Sequence, residues 1–176
     1  MKPQALASSL KKSLGNKATA VRVERLVDGA KTSNPVFRIW LSVKPAALPE
    51  AVGQLARISP DPHFSVISGC DLGKAIELIY HFTAGYGTRL GESSVSMRVA
   101  LPKRSPEVPT ITGIIPGALI SEREVQEMLG VKVIGIPDQR RLFLGKDFPK
   151  GVYPWRKDAS GPGSLAGSQR KGGPDG

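Results

Sequence analysis

Between Ser94 and Leu101 the side chains alternate without a fault: Val95, Met97, Val99 and Leu101 are apolar, and Ser94, Ser96, Arg98 and Ala100 are polar or small. Strict alternation fits an extended strand with one face against a core and the other facing out. A chain built around such a strand must make a sheet whose covered face is supplied by other elements. Weaker versions of the pattern occur upstream. Val21 and Val23 alternate with Arg22 and Glu24, and Phe37, Ile39, Leu41 and Val43 alternate with Arg38, Trp40 and Ser42. With the turn residues Asp28-Gly29 between them, the two runs predict a hairpin with a loop of several residues. Phe64, Val66 and Ser68 lead through Gly69-Cys70-Asp71 to an apolar return from Ile76 to Phe82, and glycines at 85, 87 and 91 mark the next turn.

Two segments carry the helical period instead. Leu6, Leu10 and Leu14 share one face of a segment from Pro3 to Leu14, with Gly15-Asn16 as a left-handed stop. The segment before Glu24 carries five basic residues and no acidic one, so its composition also fits a targeting peptide. The second helix is expected at roughly Leu48 to Ile58, with Leu48, Val52, Leu55 and Ala56 on its apolar face and Pro60-Asp61-Pro62 ending it. Helix, two strands, helix, three strands, joined by short turns, predicts an α+β fold: a mostly antiparallel sheet with helices on one face. This unit is expected over residues 1–101.

Beyond Pro102 the texture changes. Prolines at 102, 106, 109 and 116 argue against regular structure and for a chain draped over a surface, a long extended C-terminal arm over residues 102–158. Within it Ser121 is expected to cap a short Glu122-Arg123-Glu124 helix, with Glu124 closing the capping box and Gly130 ending it. Residues 159–176 are Gly, Ser, Pro and charge with Leu165 as the one large apolar residue. They cannot bury enough surface to offset their ordering entropy and are expected to be disordered.

Several chemistries are excluded by counting. One cysteine, Cys70, allows neither an intramolecular disulfide, a four-cysteine zinc site nor a cysteine-ligated iron–sulfur cluster, and agrees with a reducing compartment. His63 and His81 add too few ligands for a metal site and lack the Ser/Asp or Cys/Asn company of a catalytic triad. The longest apolar run, Pro109 to Ile120, stops well short of the ~18–20 residues of a membrane helix. The carboxylates of Glu122 and Glu124 suit a helix N-terminus better than acid–base work. A formal charge of +10 leaves nucleic acid, an anionic surface or an acidic protein as partners. Arg140, Arg141, Lys146, Lys150, Arg156 and Lys157, interleaved with Phe143, Phe148, Tyr153 and Trp155, suit either a nucleic-acid surface or a protein-binding strap. Pro137, Pro149 and Pro154 stiffen that stretch toward the strap.

Residues 108–158 carry a longer pattern: Pro109-Thr110, Pro116-Gly117-Ala118, Glu122-Arg123-Glu124, Gly130, then Gly135 with Pro137, Asp138, Arg140 and Arg141, and finally Gly151, Pro154 and Arg156-Lys157-Asp158. This resembles the thirty-kilodalton subunit family of respiratory complex I and its relatives, the membrane-bound energy-converting hydrogenases. Ile136 stands where complex I members commonly have His, and Gln126-Glu127-Met128-Leu129 replaces an acidic-aromatic pair. The Pro-Gly-Ala-Leu-Ile run at 116–120 and the Glu-Met-Leu-Gly run at 127–130 are more similar to the ferredoxin-dependent hydrogenase branch and its sulfur-reducing relatives. The resemblance implies a non-redox subunit in the peripheral arm of a membrane-bound, ion-translocating oxidoreductase, at the cytoplasmic face. It implies that the chain holds no cofactor of its own and braces a large hydrogenase-like subunit beside a small iron–sulfur subunit, with the membrane arm touched indirectly and no nucleic acid. Iron–sulfur clusters and nickel–iron chemistry then belong to partner subunits, and a quinone-reducing complex driven by NADH or a deazaflavin is the alternative setting. The expected interface residues are Glu122, Arg123, Glu124, Arg140, Arg141, Tyr153, Trp155, Arg156, Lys157 and Asp158, the basic ones meeting acidic groups on the large subunit.

Overall fold

The computed structural model describes residues 2–28, 34–88 and 91–165. It opens with helix α1 (Pro3–Leu14), strands β1 (Ala18–Asp28) and β2 (Asn34–Val43), helix α2 (Leu48–Ile58), and strands β3 (His63–Asp71), β4 (Ala75–Ala84) and β5 (Ser93–Pro102). The five strands form one sheet in the order β1-β2-β5-β4-β3. All pairings are antiparallel except β2 with β5, where Leu41 lies level with Met97. Parallel neighbours need a crossover. Here α2 and the β3–β4 hairpin supply it, and β5 returns between the two hairpins.

One face of the sheet is covered. Ile39, Leu41, Ile67, Leu78, Tyr80, Phe82, Val95, Met97 and Val99 are buried there, together with Leu6, Leu10 and Leu14 of α1. The leucine stripe of α1 thus belongs to the core. Proline at its first position suits a helix start, because its fixed φ is already helical and its missing N–H loses nothing. Gly15 has a positive φ of 52°, but its ψ of −124° departs from the expected left-handed cap. In α2 the buried residues are Leu48, Ala51, Val52 and Leu55. Ala51 takes the place expected of Ala56, which sits at the margin of the stripe.

The opposite face is polar. Trp40 lies beneath the Arg98 guanidinium, 5.6 Å from ring centre to Cζ, and its Nε1–H donates to Glu24 at 3.2 Å. His81 bridges three strands, its Nε2 3.0 Å from Ser68 Oγ and its Nδ1 3.1 Å from Ser96 Oγ. Among the described residues no carboxylate enters that ladder, which ties β3, β4 and β5 together on this face.

Beyond Pro102 the structure is more regular than the prolines predict. Strand β6 (Glu107–Pro109), helix α3 (Leu119–Leu129) and strand β7 (Lys132–Ile134) form a small parallel β-α-β unit, with Val108 level with Val133. Val108, Ile111, Ala118, Val125, Leu129, Val131, Val133 and Ile136 join the same core as the sheet. Helix α3 approaches β3 closely at Gly69, where a Cβ would sit 2.5 Å from Leu129 Cδ1. The helix begins two residues before the expected cap: Ala118 is its N-cap, Ser121 lies inside it, and no side chain caps it. The expected Ser121–Glu124 capping box is therefore absent. The C-terminal expectation holds, since Gly130 adopts the left-handed conformation with φ 66° and ψ 30°. No helix among the described residues is long and apolar enough to cross a membrane.

From Pro137 the chain continues as the arm, through turns without a helix or strand as far as Arg156. Of the tail expected to lack order, residues 159–165 are described and fold back: Ser160 O accepts from the Tyr153 backbone N–H at 2.7 Å. Residues 166–176 lie outside the described residues.

Candidate interaction site

The outer side of α3 grips the arm through two side chains one helical turn apart. Arg123 donates through Nε to Arg140 O and through Nη2 to Arg141 O, both at 2.9 Å, while its Nη1 lies 3.3 Å from Asp138. Glu127 takes the complementary role. Its carboxylate accepts the backbone N–H groups of Leu142, Phe143 and Leu144, with Phe143 at 2.8 Å. One cation thus binds consecutive carbonyls and one anion binds consecutive amides, which holds five residues of irregular chain in place. Asp138 closes the corner by accepting Arg140 through Nε and Nη2, and Arg140 holds its carboxyl well below the usual carboxylate range.

The second anchorage is at the end of the arm. Arg156 is buried and donates to Leu129 O, at the C-terminal carbonyl end of α3, at 2.6 Å, and to Lys103 O at 3.3 Å. A cation at that end also complements the helix dipole. The Arg156 guanidinium lies over the Tyr153 ring, 5.6 Å from its centre, and that ring packs so tightly on Gly130 that a Cβ would come within 2.5 Å of it. Trp155 donates its backbone N–H to Met128 O at 2.9 Å, and the residue is 40% exposed.

Beside it, Lys103 bridges two carboxylates, Asp71 at 2.7 Å and Asp158 at 2.6 Å. Asp71 is buried and also accepts the backbone N–H groups of Lys157 and Gly73, each at 2.8 Å. Burial pushes its pKa up, but the Lys103 ammonium and the two amides outweigh that and hold it at about 2. Because the folded value is depressed, this group's stabilisation is complete above the unfolded value near 3.8 and is lost as pH falls toward 2. Urea midpoints measured from pH 5 to 2 are expected to fall across that window. Asp71→Asn should flatten part of the fall, and an unchanged slope in that variant would refute the assignment.

Glu122 points the other way, into the molecule. It is fully buried and accepts Thr110 Oγ1–H at 2.5 Å and the Ile111 backbone N–H at 2.7 Å. Burial pushes its carboxyl pKa up against those two hydrogen bonds. The Tyr80 hydroxyl is also buried and, among the described residues, finds no hydrogen-bond partner. Burial and the Glu122 charge both raise its pKa.

The residues expected at an interface therefore separate into groups. Glu122 is internal. Arg123, Tyr153, Arg156 and Asp158 are engaged within the chain, and Lys157 contributes its backbone N–H while its side chain is exposed. Glu124 makes no side-chain hydrogen bond among the described residues. Arg140 is 84% exposed despite its contact with Asp138, and Arg141 and Phe143 are exposed beside it. Asp71, Lys103, Glu127 and Asp138 are anchors missing from the expected interface residues, although Asp138 belongs to the longer sequence pattern. The i, i+4 spacing of Arg123 and Glu127 could have signalled the clamp, but nothing local links Asp71 to Lys157.

The family described as "Respiratory-chain NADH dehydrogenase, 30 Kd subunit" matches residues 41–164. The membrane-bound hydrogenase subunit beta of Pyrococcus furiosus is 35% identical over 124 residues, covering 70% of this chain and 71% of that one. Formate hydrogenlyase subunit 5 of Escherichia coli is 34% identical over 125 residues, covering 69% of this chain and 21% of that much longer one. Among solved structures, a chain of the membrane-bound sulfane sulfur reductase, an archaeal respiratory membrane complex, superimposes with a TM-score of 0.69 at 21% identity. The superposition covers 98% of this chain and 92% of that one and is a likeness of fold.

Proposed function

Because the chain belongs to the family of the respiratory-chain NADH dehydrogenase 30 Kd subunit, we propose that it is a non-redox bracing subunit in the peripheral arm of a membrane-bound, ion-translocating oxidoreductase. It docks on the large hydrogenase-like subunit, beside the small iron–sulfur subunit, at the cytoplasmic face. The observation that carries this reading is the arm. Irregular chain is fixed to the core from both ends by Arg123, Glu127 and Arg156, and the fixed chain presents exposed Phe143 and Trp155 among Arg140, Lys146 and Lys150. Aromatic and Arg side chains on a pre-ordered surface are the usual anchors of a protein contact, and pre-ordering removes much of the entropy cost of binding.

The hydrogenase or sulfur-reducing setting is favoured by the variants at 116–120 and 127–130, and by the names of the Pyrococcus relative and the archaeal complex. The family's own name supports the quinone-reducing alternative. In either setting the iron–sulfur clusters, and nickel–iron where present, sit in partner chains. The test is to tag the chain at its N-terminus, extract native membranes in mild detergent, and measure metals in the purified assembly. Iron with nickel is expected, together with a hydrogenase-like large subunit identified by mass spectrometry. Iron without nickel moves the chain to the quinone- or sulfur-reducing setting. Recovery of the chain alone, metal-free and carrying RNA, overturns the reading.

A further inference from the structure

Between α3 and the arm lies a cleft of about 240 Å³ lined by Arg123, Glu127, Arg140, Arg141, Lys150 and Tyr153, among others. Its charges do not balance. Asp138 neutralises Arg123 and Arg140 together, and the Glu127 carboxylate is taken up by three backbone amides. Neither Arg141 nor Lys150 pairs with a carboxylate among the described residues.

Arg141 is nonetheless held in place. Its Nη1 donates to Gly145 O at 2.7 Å and to Phe148 O at 3.1 Å, so the arm's own carbonyls fix the guanidinium. The Nε and Nη2 donors make no hydrogen bond among the described residues. That pair forms the side of the guanidinium fork that accepts a carboxylate through two parallel bonds; Arg140 uses the same pair on Asp138. Lys150 supplies a second cation, on a flexible stem, at the same cleft. Leu144, Val152 and Tyr153 give the cleft apolar wall as well. A free phosphate has no use for such wall, whereas the methylene stem of a glutamate packs on it.

We propose that this cleft is the socket for one acidic side chain of the large subunit, held bidentately by Arg141 with Lys150 as the second cation. The inference rests on the bracing role proposed above and gives it a specific recognition point. Arg140, 84% exposed, already has its fork on Asp138, so Arg141 and Lys150 carry the recognition.

The test measures association of the full chain with the large subunit, prepared from the native complex and identified by mass spectrometry. The Lys150 side chain makes no hydrogen bond among the described residues, so Lys150→Glu should keep the wild-type melting temperature while affinity drops roughly tenfold or more. Arg141→Lys keeps the charge but loses the fork and should weaken binding severalfold, with less salt dependence than Lys150→Glu. Wild-type binding that persists unchanged in both variants overturns the socket and leaves the bracing role standing. Failure of the wild-type chain to bind the large subunit overturns both. A third arm titrates the isolated chain with inorganic phosphate. Thermal stabilisation by phosphate that Lys150→Glu abolishes, with partner affinity intact, would reassign the cleft to a free anion.

Discussion

Arg156→Ala is expected to lower the unfolding free energy by about 3 kcal/mol and to free the end of the arm. Hydrogen bonds from a charged donor are each worth ~1.5–3 kcal/mol, and the stacked cation adds ~0.5–1 kcal/mol. Arg156 is buried, serves both Leu129 O and Lys103 O, and covers Tyr153. Without it the Leu129 carbonyl at the end of α3 loses its partner and the Tyr153 ring loses its cover. Urea denaturation of the isolated chain measures the first effect, and limited trypsin digestion at Lys146, Lys150 and Lys157 measures the second. Arg156→Lys should recover part of the stability, because an ammonium reaches one carbonyl but cannot also lie flat on the ring. An unchanged urea midpoint in Arg156→Ala would mean that the residue faces a partner, as its place in the basic-aromatic stretch suggests, and is not an internal fastener.

Glu122→Ala is expected to cost a similar amount, about 3 kcal/mol, for a different reason. The Ile111 N–H would be left buried without an acceptor, at ~1–3 kcal/mol, and the half-buried Thr110 hydroxyl would lose its charged acceptor and keep only the Thr112 hydroxyl. Glu122→Gln keeps one acceptor oxygen and the shape of the site, so its cost should be much smaller. The pH dependence separates charge from shape. Burial raises the folded pKa of Glu122 above its ordinary 4.5, so the folded chain holds this proton more tightly than the unfolded chain does. Its contribution therefore weakens as pH rises through the interval above 4.5, opposite in sign to Asp71, which loses its contribution below about 4. Stability profiles from pH 4 to 8 should show a shallower decline in Glu122→Gln than in the wild type. Parallel profiles would count against a raised pKa.

The elements legible in the sequence are those whose period runs long enough to exclude alternatives. Eight alternating residues fix β5, and the stripe of Leu48, Val52 and Leu55 bounded by Pro49 and Pro60 fixes α2. Within the arm expected over 102–158 the short helix is legible, but the two strands flanking it are not, for a physical reason. Strands β6 and β7 are three residues each, too short to show a period, and a parallel pair is joined through a helix and not through a readable turn. At Ser121 a good capping residue is preceded by the Pro116–Ala118 turn, which has already started the helix. The basic-aromatic arm is legible as a strap, but the roles within it are not. Arg140, Arg141 and Arg156 look alike as letters, and only the fold distinguishes a cation whose fork lies on Asp138 from one held edge-free in a cleft and one buried beneath Leu129. The Asp71–Lys157 contact spans 86 positions, beyond the reach of any local pattern.

That span also sets a schedule for the growing chain. The five-stranded sheet is complete once Pro102 has emerged, but Arg156 and Asp158 follow about 55 residues later, or roughly 3–11 s at ~5–20 residues per second. During that interval Lys103 and Asp71 lack their partners from the arm, and the carbonyl end of α3, once made, waits for Arg156. A subunit arriving while synthesis continues meets a different surface from one arriving afterwards. The contacts that fasten the arm, Arg156 on Leu129 and Asp158 on Lys103, are therefore among the last to close in the order of synthesis.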